Sequence, residues 1–324
     1  MKAIVYRKNG PPDVLTCEEI EKPTPKEAEV LIKVNAAAVN PLDYHLMKGG
    51  PALARLLFGV RKLKVPGVDV AGVVEAAGSG VTKFKAGDAV FGACRGAFAE
   101  YAIAPESALA AKPESVPFED AAASPIAALT ALQGLRNRGK IQPGQSVLIN
   151  GASGGVGTFA VQFAKYFGAQ VTAVCSARNA ELVRSLGADR VVDYAQEDFS
   201  KGTARYDLIL DLAGNHPFSA CKCVLNPQGI HVGAGILAGS KSLLVMLGGL
   251  IGALLVSRFS RQKFVTYVAK ANREDLSFIG ELLANGKLKP VIDKRYRLIE
   301  VPEAMRVQGT WHARGKLVVN VDAQ

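Results

Sequence analysis

At 324 residues, 49% hydrophobic and 21% charged, with Gly 33 and Pro 16, the chain has the length of two packed domains, and its composition excludes disordered, collagenous and coiled-coil proteins. A formal charge of +10 draws anionic partners: nucleotide phosphate, nucleic acid or an acidic membrane surface. The basic residues are scattered and never reach a run of about five or six, so a soluble protein with a phosphate-bearing small molecule is expected, and no nucleic acid.

The five cysteines, Cys17, Cys94, Cys175, Cys221 and Cys223, are odd in number. The C-x-C spacing of the last two matches neither a zinc knuckle nor a redox pair, so reduced thiols are expected. Charges within Met1 to Gly10 interrupt the apolar core a signal peptide needs, which makes the cytoplasm the expected location.

Residues 1 to about 120 read as short β segments, Ala3 to Tyr6, Val30 to Ala37, Gly72 to Ala77, Ala89 to Gly92 and Ala97 to Ala102, separated by Gly, Pro, Asn and Asp. This texture predicts an irregular, mostly antiparallel barrel. From about Ala121, helix-like stretches alternate with the apolar runs Val147 to Asn150, Val171 to Cys175, Leu208 to Leu212 and Gly229 to Gly233, which predicts a parallel sheet covered by helices on both faces. After about Val265 come a helix over Leu276 to Asn285, a strand over Val291 to Leu298, a short helix from Pro302 and a strand over Lys316 to Val321, all able to rejoin the first domain.

Leu243 to Val256 is an unbroken apolar and glycine run. Its length falls short of the ~20 residues needed to span a bilayer. A buried helix, a dimer contact or a substrate-pocket wall accounts for it; with the basic flank Arg258, Arg261 and Lys263, so does attachment at a membrane interface.

The strongest chemical signal is Val147 to Gly157, an apolar strand running through a glycine-rich turn into the helical pattern Thr158 to Phe167. Ala152, Gly154 and Gly157 occupy the three small-residue positions of a dinucleotide fingerprint. They allow a tight turn, close backbone approach to a diphosphate, and helix-on-strand packing. With Ser153, Gly155 and Val156 they form a cradle whose helix N-terminus favours an anion. The next strand ends at Cys175, where an NAD site would place an acid on the ribose 2′-hydroxyl. Ser176 and Arg178 follow, so a repelling carboxylate is missing and groups able to bind a 2′-phosphate are present. NADP(H) is therefore the expected cofactor, although Arg178 also suits a solvated first turn.

Several further segments agree in order: Val39-Asn-Pro-Leu-Asp43, Pro66-Gly-Val-Asp-Val-Ala-Gly-Val-Val74, Phe84-Lys-Ala-Gly-Asp-Ala-Val-Phe-Gly92, Gly96-Ala-Phe-Ala-Glu-Tyr101, Leu129-Thr130 and His312-Ala-Arg-Gly-Lys316. Together they resemble the medium-chain dehydrogenase/reductase superfamily, in its zinc-independent quinone oxidoreductase branch, over essentially the whole chain. The resemblance implies an α/β protein: a doubly wound, NADP-binding Rossmann domain at 123–265, and a mostly β, GroES-like barrel catalytic domain at 1–122 and 266–324, with the active site in the cleft between them. It implies hydride transfer from NADPH to a quinone or α,β-unsaturated carbonyl, and homodimers by analogy.

In that family Asn40 lies near the nicotinamide ribose, Thr130 near the nicotinamide and Tyr194 near the adenosine 2′-phosphate, while Asp43 and Asp69 support the fold. Asn40 and Tyr44 are the catalytic candidates, the first through its amide and the second as a proton donor to a developing oxyanion. An Asn before Pro is also a turn former, and Tyr44 also suits packing on the barrel. Zinc-dependent relatives carry Cys at Asn40 and a His-Glu pair at Val68 and Asp69, so no metal is expected. His45, His216, His231 and His312 show neither metal nor triad spacing and read as structural. Gly49 to Leu53 lacks the tyrosine of enoyl-thioester reductases, which argues against that activity. Two alternatives remain: a zinc-independent alcohol or aldehyde oxidoreductase, and a non-catalytic nucleotide-fold protein that binds RNA or membrane.

Overall fold

The computed structural model describes residues 1–49, 64–234 and 261–321, so the apolar run 243–256 and Gly50 to Leu53 lie outside the described residues. Contacts divide the chain into Met1–Leu129 with Lys270–Gln324, and Thr130–Ala269.

In the first unit, β1 (Lys2–Val5) pairs antiparallel with β2 (Thr16–Glu19). The long β3 (Glu29–Val39) leads into helix α1 (Pro41–Lys48) and is the centre of a seven-stranded sheet. β4 (Asp69–Ala77), β5 (Ala89–Ala93), β6 (Tyr101–Pro105) and β7 (Leu109–Ala111) follow. β3 is nearly all buried because it has neighbours on both edges: β4 on one, and β6 along its first half on the other. Helices α2 (Phe118–Ala123) and α3 (Pro125–Leu132) come next. The helical texture that begins near Ala121 thus starts inside the first unit, since α2 packs its buried Ala121, Ala122 and Ala123 on β3 and β4.

The second unit holds β8 (Ser146–Asn150), α4 (Gly155–Tyr166), β9 (Gln170–Cys175), α5 (Ala180–Ser185) and β10 (Arg190–Asp193), then β11 (Tyr206–Asp211), α6 (Phe218–Lys222), β12 (Leu225–Ala234) and β13 (Lys263–Tyr267). All six strands pair in parallel, in the order β10-β9-β8-β11-β12-β13. The order reverses between β8 and β11, so the carboxyl ends of these strands open the crevice in which doubly wound sheets take ligands. β10 and β13 escape the sequence pattern because, among the described residues, they are short edge strands that each begin on a charged residue.

The chain returns to the first unit through α7 (Arg273–Ala284), β14 (Ile292–Arg297), α8 (Val301–Gly309) and β15 (Lys316–Asn320). β15 pairs antiparallel with the second half of β3, so the two ends of the sequence share one core, including Ile4, Ile32, Val70, Phe98, Met305 and Leu317.

Candidate functional site

The glycine-rich turn of the second unit leaves β8 at Asn150 and enters α4 at Gly155. Gly151 has φ +87°, and the Gly151 and Ala152 N–H groups both donate to the Val174 carbonyl of β9, which ties the turn to the sheet. The two fingerprint glycines serve different ends. A Cβ on Gly157 would stand 2.2 Å from the Gly151 carbonyl oxygen, so that glycine is required by helix-on-turn packing. A Cβ on Gly154 would meet nothing nearer than that same oxygen at 3.6 Å, and its φ of −80° suits any residue. The open face of Gly154 is what close approach of a diphosphate needs. Thr158 is the first α4 residue whose N–H bonds back to the turn, at Gly154 O, so the N–H groups of Gly155, Val156 and Gly157 head the helix toward an anion. These residues fit a dinucleotide.

At the end of β9 the chain passes through Ser176 into a single 3₁₀ turn, Ala177–Asn179, with Arg178 exposed. Tyr194 follows β10, 55% exposed, and its N–H donates to Cys175 O, which sets it beside the same strand end. Sequence reasoning missed Asn179. Its buried amide donates to Ser153 Oγ at 3.0 Å and to Ser176 Oγ at 3.2 Å, linking the cradle to the strand end, and its Oδ1 is buried without a partner. The signal was only an Asn four residues past a strand, which is too common to single out. Thr130 is half-buried, and its carbonyl accepts the Tyr267 hydroxyl; the missing side chain of Gly134 makes room for that phenol.

Among the described residues, Asp211, Cys221 and His231 bring a carboxylate, a thiol and an imidazole within 4.8 Å, all buried. One oxygen of Asp211 accepts from Asn150, Ala213 and Gly214, and the other faces His231 Nε2 at 3.6 Å. Burial, reinforced by the Asp211 charge, pushes the Cys221 thiol up to about 12. The group joins the end of β11 to α6 and β12, and Asn150 ties it to the end of β8.

The first unit places Asn40, Asp43 and Tyr44 at the start of α1. Asn40, Asp69 and Lys316 are each at most 3% exposed. The Asn40 amide nitrogen donates to Asp69 Oδ2 at 2.9 Å and to Ala38 O at 3.3 Å, and its oxygen accepts the Lys316 ammonium at 2.6 Å. Lys316 also reaches Asp69 Oδ2 at 3.2 Å, and Asp69 Oδ1 accepts the Ile126 N–H. Sequence reasoning offered the Asn40 amide to cofactor or substrate; in the structure both of its ends are engaged, because a buried carboxylate and ammonium both demand partners. The same ammonium lies against Asn40 and Asp69, two of the positions where zinc-dependent relatives hold their metal. With a fixed cation there, and no thiolate or imidazole at Asn40 or Val68, these residues do not fit zinc.

Asp43 accepts the Asn40 and Gly67 N–H groups, one on each oxygen. Burial pushes its carboxyl up to about 7, and the Asp69 charge adds to the rise against the pull of Lys316. One ammonium neutralises one carboxylate, and Asp43 is the acid left over. Its folded value lies above the ordinary 3.8, so the folded chain holds the extra proton between about pH 4 and 7, and stability falls as pH rises through that window. Urea midpoints should therefore decline with pH more steeply in the wild type than in Asp43→Asn, which has no proton to lose; parallel slopes would clear Asp43 of the effect.

Tyr44 is half-buried, its ring packed over Gly309, where a Cβ would stand 2.6 Å from ring carbons, and 5.2 Å from Lys48 Nζ.

Residues 26–114 match the alcohol dehydrogenase GroES-like domain, and residues 186–319 match a family described as zinc-binding dehydrogenase. A chloroplast envelope quinone oxidoreductase homolog of Arabidopsis thaliana is 35% identical over 314 residues, 93% of this chain and 92% of that protein. An NADPH-dependent alkenal/one oxidoreductase of the same plant's chloroplast is 35% identical over 334 residues, covering 98% of this chain and 79% of its own. The quinone oxidoreductase structure from Coxiella burnetii superposes with a TM-score of 0.88 at 31% identity, covering 99% of both chains. Both of these plant relatives are chloroplast proteins, which overturns the expected cytoplasmic location. Free cysteines report only a reducing environment, which does not distinguish one such compartment from another.

Proposed function

Because this chain belongs to the medium-chain dehydrogenase/reductase superfamily, in its quinone oxidoreductase-like branch, we propose that it draws its reducing power from NADPH in preference to NADH. It is an oxidoreductase that passes hydride from a nicotinamide cofactor to a small-molecule quinone or α,β-unsaturated carbonyl. The alcohol or aldehyde and the non-catalytic alternatives are not favoured by these relatives. The observation that carries the reading is the cradle at the head of α4, with the open face of Gly154 beside a strand end that bears Ser176 and Arg178 and no carboxylate of its own.

A bound nicotinamide supplies the hydride, and the chain supplies placement and protons. The α4 N–H groups hold the diphosphate, and the Ser153–Asn179–Ser176 link keeps cradle and strand end in register. Arg178 and Ser176 would hold the 2′-phosphate, with the exposed ring of Tyr194 near it. Thr130, pinned through its carbonyl by Tyr267, would lie near the nicotinamide. Tyr44 gives its phenol proton to the substrate oxygen as negative charge develops there. Asn40 acts indirectly, by fixing the start of the helix that carries Tyr44.

A charge-assisted bond is worth about 1.5–3 kcal/mol, so Arg178→Ala should weaken NADPH binding by roughly 10- to 100-fold and leave NADH within about twofold. Calorimetric titration with both nucleotides checks this, and equal weakening of the two rejects the 2′-phosphate role.

A further inference from the structure

Helix α8 ends at Gly309, and two residues on, Trp311 turns the chain with φ +60°, its N–H bonded to Gln308 O. Past a helix end this left-handed position ordinarily falls to glycine, because a Cβ there crowds the following carbonyl. Here it is filled by the chain's one tryptophan, 49% exposed. A bulky, half-exposed ring on a strained backbone gains little from burial, and strain of this kind concentrates where a side chain is being presented.

The indole is presented to a wall of rings on α1. The His45 imidazole lies 5.3 Å from it, inclined at 34°, and the Tyr44 ring stands 6.2 Å away, edge-on at 82°. Tyr44 is wedged against bare Gly309, so the wall has little freedom to move aside. His45 Nε2 is buried with no hydrogen-bond partner, which leaves a polar atom at the base of the wall. Burial, with the charge of Lys48 adding, lowers the imidazole's proton affinity and keeps that ring neutral near pH 7. An electron-rich indole face, backed by a neutral ring and bordered by a phenol, suits a flat, electron-poor, conjugated ring better than a flexible aliphatic chain.

We propose that Trp311, His45 and Tyr44 form a docking platform that selects acceptors carrying a planar conjugated ring, with the substrate stacked on the indole and its oxygen toward the Tyr44 phenol. The proposal rests on the oxidoreductase reading and narrows the substrate class within it.

The single tryptophan is its own reporter. Titrating the full chain with 1,4-naphthoquinone, without NADPH, should quench the indole fluorescence along a saturable curve; a linear, purely collisional curve overturns the platform. Trp311→Gly removes the left-handed strain, so its melting temperature should equal or exceed that of the wild type. In the same variant the ratio of kcat/KM for 1,4-naphthoquinone over but-3-en-2-one should fall about tenfold, chiefly through KM for the quinone, with Trp311→Phe intermediate. An unchanged ratio also overturns the platform. If the wild type oxidises NADPH with neither acceptor, the oxidoreductase reading fails, while the quenching curve still decides whether a flat ring docks on Trp311.

Discussion

Lys316→Met is expected to cost about 3–5 kcal/mol of stability, the range seen when one partner of a buried ion pair is removed. The ammonium bonds Asn40 and Asp69 at 2.6 and 3.2 Å, and Asp69 is fully buried. Methionine fills most of the lysine's volume, so cavity formation adds little and the loss is that of a stranded carboxylate. A companion result distinguishes this from generic damage. Adding Asp69→Asn to Lys316→Met should restore much of the loss, because a neutral amide needs no counter-ion. Urea denaturation of the three proteins measures all of this, and a single-variant loss below about 1 kcal/mol would mean that the network contributes no more than a surface pair does.

The two fingerprint glycines should part company when each becomes alanine. Gly157→Ala drives a methyl to 2.2 Å from one backbone oxygen and within 2.7 Å of the Ala152 backbone, none of which can rotate away. A loss of roughly 3 kcal/mol is expected, the upper part of the range for overpacking. Gly154→Ala meets only ordinary contact and an unstrained φ, so stability should hold or rise slightly, since alanine narrows the unfolded ensemble. The methyl would stand where a diphosphate must approach, so nucleotide affinity should fall by at least about tenfold, near 1.4 kcal/mol. Thermal melts read the first effect and NADPH titration the second. A Gly154→Ala protein that binds NADPH as tightly as the wild type would take the diphosphate away from this turn.

The cradle from Ala152 to Gly157 was legible because strand, turn and helix there are contiguous, and the bareness of Gly157 is required by contacts only a few positions away. The parallel sheet was legible for a similar reason: strands buried on both faces read as apolar runs. The short or charged strands β2, β7, β10 and β13 were not, because pairing with a neighbour, and not their own pattern, makes them strands. Asn179 was hidden because its partners Ser153 and Ser176 lie on different sides of α4 and β9 in the sequence.

Local chemistry in the chain was enough to give a small-residue turn at a helix head, a strand end without a carboxylate, and the lack of thiolate or imidazole at Asn40 and Val68. Folding settled what those residues are free to do. Pairing of β15 with β3 carries Lys316 across 276 positions to Asn40 and engages an amide that otherwise reads as available. The backbone past α8 places Trp311 beside His45 and Tyr44 in the same way. Whether a polar group is free depends on what surrounds it in space, and a buried charge recruits partners without regard to their distance along the chain.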